Sequence, residues 1–266
     1  MALTRYVRAS IALLALAVPF IFVAAPALYA IVLWDRAAGT EGLKHRRRVA
    51  AWQAACGEAA LFLVKGIMGI AVTYDLPPDP LAAGPYIVIS NHFGGFDGFL
   101  IVRALRSLFG RADIRAIGKR EVRKWPVVGR AWSELRWGFV ARNHDPDDHR
   151  AVGRCGESAA ADAACALIFP EGTVFDPDKR RDGFTRVLPP KSGGLKTLRR
   201  AMPGAPVLCV TLVWASERYG GSLLDGTIPF GASVCVVVRL ADVPDDVEGW
   251  LLEEWRRKDA MISAGN

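Results

Sequence analysis

Residues 86–97 read YIVISNHFGGFD and contain a strand-like run, a glycine turn and the predicted approach to a helix. The run Tyr86–Ser90 is short, apolar and rich in β-branched residues, which is typical of a buried strand. A helix is predicted over Gly98–Leu108, and Gly94 and Gly95 leave the chain free to turn sharply before it. The segment therefore predicts a strand that passes through a tight turn into a helix.

The alternation of short apolar runs with longer mixed stretches continues towards the C-terminus. The further predicted strands are Ile114–Ile117, Gly138–Ala141, Ala166–Phe169, Val207–Val213 and Val234–Leu240. The further predicted helices are Asp147–Ala164, Gly193–Ala201 and Val247–Met261. This alternation favours an α/β fold with a largely parallel central sheet flanked by helices.

The composition indicates an apolar and basic protein. Of the 266 residues, 52% are hydrophobic, and the formal net charge is +7. A positive charge of this size favours anionic partners such as nucleic acid, anionic lipid or phosphorylated substrates. No nucleic-acid-binding module is evident, so lipid is the better prediction and nucleic acid is not expected; a solvated basic surface is the alternative. The five cysteines form no C-x-x-C pair, which suits buried thiols in a reducing compartment.

Residues 9–34 include no charged side chain. A helix of that length extends roughly 39 Å, beyond the ~30 Å hydrocarbon core of a bilayer. We predict an uncleaved transmembrane anchor; the alternative is a signal peptide with a weak cleavage site around Pro26. Basic residues are fewer before this run, at Arg5 and Arg8, than after it, between residues 36 and 48. That asymmetry predicts a cytoplasm-facing globular part on an inner or endoplasmic-reticulum-like membrane.

A second apolar segment covers residues 50–72 and is interrupted by Gln53, Glu58 and Lys65. It predicts a helix that lies on the membrane, dips into it, or packs on the first helix, and a plain core helix is the alternative. The proline-rich break Asp75–Pro80 marks a boundary. We therefore predict a helical membrane anchor over residues 1–75 and a globular domain over residues 76–266.

His92 and Asp97 are the candidate reactive pair. On one continuous helix they would point roughly 140° apart, so they can meet only if the chain turns between them. If Asp97 lies in the first helical turn, its carboxylate can accept from one imidazole nitrogen and leave the other as a base. This is the logic of a hydrolase triad in which the substrate's own hydroxyl replaces the serine. The alternative is a satisfied loop histidine beside an N-cap aspartate.

The motif Asn91-His92-x-x-x-x-Asp97, together with FPEGT at residues 169–173, resembles the glycerolipid acyltransferase family, typified by the 1-acylglycerol-3-phosphate acyltransferases. Further blocks stand in the family's order: GKRE and WPVVG between residues 118 and 129, GFVAR at 138–142 and VTLV at 210–213. The resemblance extends over about residues 85–213. The tail 250–261 is similar to the subgroup that includes lysophosphatidylinositol and lysocardiolipin acyltransferases. Val174 and Thr211 stand where the family often has Arg and Pro, which leaves the acceptor open.

The resemblance implies a role for each motif. His92 would deprotonate a free hydroxyl on a lysophospholipid, with 1-acylglycerol-3-phosphate as the first candidate, and Asp97 would orient the imidazole. The acyl group would come from acyl-CoA or acyl carrier protein as co-substrate, with no bound cofactor and no metal. Backbone N–H groups near Gly94 and Gly95 would stabilise the oxyanion. The predicted substrate-binding residues are Lys119, Arg142, Glu171, Gly172 and Thr173, with the two cations on the acceptor phosphate.

Other interpretations stay open at this stage. The chain could be a non-catalytic membrane scaffold with an acyltransferase fold, or an esterase that uses the same pair on water, although no G-x-S-x-G motif occurs. Lys119 could belong to a solvated basic face, Arg142 to a strand-end ion pair, and Glu171 to a turn. Residues 144–149 read HDPDDH and could suggest metal ligands. We instead predict that Asp145 caps a helix in which Pro146 is the first residue.

Overall fold

The computed structural model describes residues 2–111, 113–142, 145–181, 183–215 and 231–265. The N-terminal helices are α1 (Ala2–Pro19), α2 (Ala25–Ala37) and α3 (Gly42–Met68). A π-helical turn, Phe20–Ala24, joins α1 to α2 without a break and lies between two prolines. Proline has no N–H to donate, so the regular hydrogen-bond pattern cannot continue through this region. Trp52 of α3 donates its indole N–H to the Ala24 carbonyl over 2.8 Å, which satisfies an acceptor at the irregular turn.

One helical stretch among the described residues, Leu13–Ala37, is long and apolar enough to cross a membrane, with a mean hydropathy of 2.4. It agrees with the apolar run predicted as an anchor. The second predicted segment becomes part of α3, which packs on the globular domain along Ala54, Leu61, Val64 and Met68. Phe62 on the same helix stays 78% exposed.

The globular part is built on one seven-stranded sheet. Its strands are β1 (Ala71–Asp75), β2 (Tyr86–Ser90), β3 (Ile114–Lys119), β4 (Gly138–Val140), β5 (Cys165–Ile168), β6 (Val207–Ala215) and β7 (Ser233–Ala241). They are ordered β1-β7-β6-β2-β5-β3-β4, and β7 pairs antiparallel with β6 while the other neighbours pair parallel. The prediction of an α/β fold with a largely parallel sheet is confirmed.

Five helices of the globular part are described: α4 (Asp97–Phe109), α5 (Val128–Glu134), α6 (Pro146–Ala161), α7 (Ser192–Ala201) and α8 (Val247–Ala264). Short 3₁₀ turns cover Arg120–Lys124 and Pro177–Lys179. Alternate residues of the central strands point to opposite faces of the sheet. One face packs against α3 and α4, and the other packs against α6, α7 and α8.

The structure contains two elements, β1 and α5, that the sequence did not predict. Residues 71–75, which the sequence assigned to the anchor, form β1 at the edge of the sheet beside β7. In the structure the sheet therefore begins before the proline-rich break. Helix α5 was not predicted, and it packs through Ala131 and Leu135 against Leu28 and Val32 of α2.

Buried ion pairs join the N-terminal helices to the globular part. Arg46 of α3 donates twice to the carboxylate of Asp162, which follows α6, over 2.5 and 2.7 Å. Arg115, fully buried on β3, donates to Asp162 over 2.7 Å and also pairs with Asp113. Two cations and two carboxylates therefore share one buried network, and removing one partner would leave the others uncompensated.

Candidate active site

The reactive pair lies where β2 ends and α4 begins. His92 is two residues beyond the end of β2, and Asp97 is the first residue of α4. The Asp97 N–H donates to the Gly94 carbonyl over 3.3 Å, so residues 94–97 form the turn that the glycines predicted. The carboxyl ends of β2, β3, β4, β5 and β6 share this edge of the sheet, where α/β folds commonly bind ligands.

Asp97 fixes the tautomer of His92. The Nδ1 atom of His92 lies 2.8 Å from Oδ2 of Asp97, and that carboxylate is fully buried. A carboxylate oxygen only accepts, so Nδ1 carries the proton and Nε2 presents a lone pair. The backbone N–H groups of Phe93 and Gly94 donate to the same Oδ2 over 2.6 and 2.9 Å. The Gly94 N–H is therefore already engaged and does not serve as an oxyanion donor, which leaves the exposed Gly95 as the remaining glycine candidate.

Phe169 contacts the face of the His92 imidazole, in addition to the Asp97 contact at its edge. The imidazole stacks on the Phe169 ring with centroids 4.1 Å apart and an interplanar angle of 20°. The side chain of His92 keeps 19% exposure, so a substrate can reach the ring. The His92 carbonyl accepts from the Phe175 N–H over 2.7 Å. These contacts join the segment after β5 to the histidine.

Glu171 is buried behind the histidine. Its Oε1 accepts from the His92 N–H over 3.2 Å and from the Trp255 indole over 3.3 Å, and its Oε2 accepts from the Leu188 N–H over 3.3 Å. Burial, with a smaller effect from the negative charge of Asp97, raises the pKa of the Glu171 carboxyl to about 8, although these three hydrogen bonds act to lower it. Glu171 therefore binds two backbone N–H groups of the site and the indole of the C-terminal helix.

The other predicted residues of this motif form the turn beside Glu171. Gly172 has a φ of +74°, a conformation that glycine adopts without steric cost, and its N–H donates to the Phe169 carbonyl over 2.9 Å. Thr173 follows and is partly exposed. The turn passes close to the start of α7, where Nζ of Lys191 lies 4.0 Å from the position that a Cβ on Gly172 would occupy.

The C-terminal helix supports the same site, which the sequence did not predict. Trp255 of α8 is fully buried where it reaches Glu171. One turn further along, the fully buried Lys258 donates to the Val210 carbonyl and to the Thr211 hydroxyl, the latter over 3.0 Å. Burial lowers the pKa of the Lys258 ammonium to about 8. The threonine that replaces the family's proline therefore serves as an acceptor for a buried lysine.

A narrow gap, with almost no room for a water molecule, lies beside the histidine. Residues that line it include Asn91, His92, Glu171, Phe175, Arg186 and Trp214. Asn91 closes one side, because its amide exchanges hydrogen bonds with the backbone of Leu212 on β6, over 2.8 and 3.1 Å. From the sequence, Arg186 belongs to a basic loop that could contact phosphate or headgroups, with a mobile polar loop as the alternative, and its place beside His92 was not predicted.

The two predicted phosphate-binding cations occupy neighbouring strands at the same edge. Lys119 ends β3 and is paired with Val140 of β4, two residues before Arg142. Arg142 adopts a φ of +65°, and its N–H donates to the Asp148 carboxylate over 2.7 Å. Arg142 is exposed, yet desolvation by the groups around it lowers the pKa of its guanidinium, and the charges of Glu121 and Asp148 oppose that effect. Neither side chain forms an ion pair within the described ranges of the chain.

The predicted helix cap in the HDPDDH segment is present. Asp145 precedes α6, Pro146 is its first residue, and the Asp145 carboxylate accepts from the Asp147 N–H over 2.9 Å. His144 lies outside the described residues. Within the described ranges, no group of three or more histidine, cysteine and acidic side chains is arranged to hold a metal ion.

The acyltransferase family model matches residues 72–213, which include β1 to most of β6 and both motifs of the site. The chain therefore belongs to the acyltransferase family, and it carries the glycerolipid acyltransferase motifs. No curated protein sequence matches the chain.

A solved structure shares the fold over nearly the whole chain. It is the crystal structure of the 1-acyl-sn-glycerophosphate acyltransferase PlsC from Thermotoga maritima, with a TM-score of 0.67 and 19% sequence identity. The match covers 98% of this chain and 98% of that one, so it includes the N-terminal helices as well as the sheet.

Proposed function

We propose that this protein transfers a fatty acyl group from acyl-CoA or acyl carrier protein to the free hydroxyl of a lysophospholipid. With 1-acylglycerol-3-phosphate as the acceptor, the product is phosphatidic acid. The observation that carries the proposal is the His92–Asp97 pair at the carboxyl edge of the sheet, in which Nδ1 is bound to a buried carboxylate and the partly exposed ring leaves Nε2 as the base. The match to a 1-acyl-sn-glycerophosphate acyltransferase fold supports the choice of acceptor.

The chemistry follows from that pair. Nε2 of His92 removes the acceptor's hydroxyl proton as the oxygen attacks the thioester carbonyl. Asp97 stabilises the imidazolium that forms, through its 2.8 Å contact with Nδ1. The C–O bond forms, the C–S bond breaks, and the proton passes from the imidazolium to the departing thiolate. No acyl-enzyme is required, because the acceptor hydroxyl is itself the nucleophile.

The acceptor phosphate needs cations near the histidine. Lys119 and Arg142 end on adjacent strands at the site's edge of the sheet, and Arg142 can bind two phosphate oxygens at once. Gly172 and Thr173 would form the wall next to the acceptor. Acylation of a lysophospholipid with another headgroup uses the same chemistry. Val174 stands where the family often has arginine, which leaves the acceptor open, so the assay includes acceptors with other headgroups.

The membrane is the expected partner, because both the acceptor and the product are lipids. The apolar helix Leu13–Ala37 would anchor the chain, with the catalytic domain on the cytoplasmic side. The apolar side chains on this helix that are more than half exposed, as suits lipid contact, are Leu14, Ile21, Phe22, Val23, Leu33 and Trp34.

The test is an acyl transfer assay with the purified full-length protein. Labelled acyl-CoA and acyl carrier protein are each offered with lysophosphatidic acid and with lysophospholipids that carry other headgroups. We expect phosphatidic acid from the wild type, none from His92→Ala, and near-normal product from His149→Ala, a histidine bound to Thr197 outside the site. Free fatty acid in place of phospholipid would identify an esterase. A wild type without product for any acceptor would refute the proposal and indicate a scaffold.

A further inference from the structure

The turn that follows β3 presents a large aromatic side chain on a rigid backbone. The 3₁₀ turn Arg120–Lys124 leads into Trp125, whose N–H donates to the Val122 carbonyl and whose carbonyl accepts from the Gly129 N–H, both over 3.0 Å. A Cβ on Gly129 would lie 2.4 Å from the carbonyl oxygens of Val122 and Arg123, so only glycine allows this close packing. The backbone of the turn is therefore tightly packed, whereas the Trp125 side chain is 57% exposed.

The turn is in direct contact with the candidate membrane helix. The Tyr29 hydroxyl donates to the Pro126 carbonyl over 2.8 Å. Tyr29 lies inside the span Leu13–Ala37, about 12 Å along the axis from its C-terminal end at 1.5 Å per residue. The helix cannot enter a bilayer at that depth without bringing the turn to its surface. Tyrosine and tryptophan favour the headgroup level of membranes, which suits both Tyr29 and Trp125.

The turn Arg120–Lys124 has three basic side chains and one acidic one, Glu121, so its net charge suits an anionic surface. Arg123 and Lys124 directly precede Trp125, are exposed, and form no ion pair with any residue in the described ranges. Arg120, at the start of the turn, is instead paired with Asp145 and Asp148. Basic side chains beside an exposed tryptophan are the combination that anionic phospholipid headgroups attract.

We propose that residues 120–126 form a second membrane contact, in which Trp125 enters the interface of an anionic phospholipid bilayer and Arg123 and Lys124 meet its phosphates. The inference rests on the proposed function in that it takes the first helix to be embedded. Its consequence concerns the substrate. Lys119 ends β3 directly before this turn, so the contact places the carboxyl edge of the sheet at the lipid surface. An acceptor can then reach His92 without leaving the membrane.

The experiment measures tryptophan quenching in vesicles. Full-length protein is reconstituted into phosphatidylcholine vesicles with or without phosphatidylglycerol, and with acyl chains brominated at shallow or deep positions. The difference between wild type and Trp125→Phe isolates the emission of Trp125. We expect that emission to be quenched at least twofold, more by shallow than by deep bromines. The matched control is Trp250→Phe on α8, which packs on the opposite face of the sheet from α3 and should give an unquenched difference.

A charge variant tests the headgroup contact. Arg123→Glu combined with Lys124→Glu should at least halve the quenching of Trp125 in the anionic vesicles, whereas Arg154→Glu combined with Arg200→Glu, two exposed sites elsewhere, should not. An unquenched Trp125 in the wild type would overturn the proposal. Acyl transfer is measured on the same vesicles. Quenching without product refutes the proposed function alone, and product without quenching refutes the membrane contact alone.

Discussion

The Asp97→Asn substitution separates two effects of this carboxylate on His92, namely its negative charge and its control of the tautomer. Oδ2 of Asp97 accepts from His92 Nδ1 and from the N–H groups of Phe93 and Gly94. An asparagine amide nitrogen turned towards these groups would face two backbone donors. The amide oxygen therefore stays in the place of Oδ2, and Nδ1 keeps its proton. The substitution removes the charge and preserves the tautomer.

The magnitude follows from what the charge stabilises. In the transition state the imidazole is becoming an imidazolium, and a neutral acceptor stabilises it less than a carboxylate does. Replacing a charge-assisted hydrogen bond with a neutral one costs about 2 kcal/mol here, which corresponds to a roughly 30-fold lower kcat. The KM values should change little, because the carboxylate is fully buried and faces the histidine.

The assay is steady-state transfer with varied donor and acceptor, beside His92→Ala and wild type. Asp246→Asn makes the same chemical change at the cap of α8, away from the dyad, and should retain wild-type rates. Thermal unfolding of each variant establishes that it is folded. If Asp97→Asn is as inactive as His92→Ala, the amide has taken the other orientation and the argument from the turn is wrong. If it matches wild type, the charge has no part in catalysis.

Three further outcomes are expected. The pKa of Glu171 is about 8 in the folded protein and near its ordinary value of 4.5 in the unfolded chain, so the free energy of unfolding should fall as pH rises between these values. Glu171→Gln should lack that decline in thermal scans at pH 6 and pH 8, and an equal decline would refute the assignment. Asp162→Ala leaves Arg46 and Arg115 unpaired and should cost about 3–5 kcal/mol in denaturant unfolding, and a loss below about 1 kcal/mol would contradict the buried network. Arg142→Ala should raise the KM for the acceptor by roughly 10-fold or more and leave that for the donor unchanged, with Arg142→Lys intermediate; unchanged acceptor kinetics would remove Arg142 from the phosphate site.

The strand–turn–helix unit was predictable from the sequence because its signals are local. The strand Tyr86–Ser90 was predicted with the bounds that the structure gives, and the start of α4 differs by one residue. Apolar runs of this length, followed by glycines, have few alternative structures. The approach of His92 to Asp97 followed from the same turn, because five residues are too few for the pair to meet in any other way.

The elements that the sequence did not predict have weak or misleading sequence patterns. β1 follows directly on the long apolar stretch of α3, so its five residues read as the end of the anchor. Helix α5 has only seven residues, too few for a clear helical period. The Trp255–Glu171 contact joins residues 84 positions apart, and no local pattern predicts a contact at that separation. The stacking of Phe169 on His92 depends on the neighbouring positions of β2 and β5, which only the sheet order gives.

Asp97 and Glu171 both hold His92 in position, and the surroundings of the two carboxyl groups differ. Asp97 binds the imidazole edge together with two backbone N–H groups, which suits a charged acceptor. Glu171 binds the His92 backbone from a buried position, where burial and the charge of Asp97 favour its neutral form. One negative charge therefore remains beside the imidazolium, and the second carboxyl serves as a positioning group. Because Trp255 binds Glu171, the C-terminal helix is part of the catalytic framework although it lies outside both motifs.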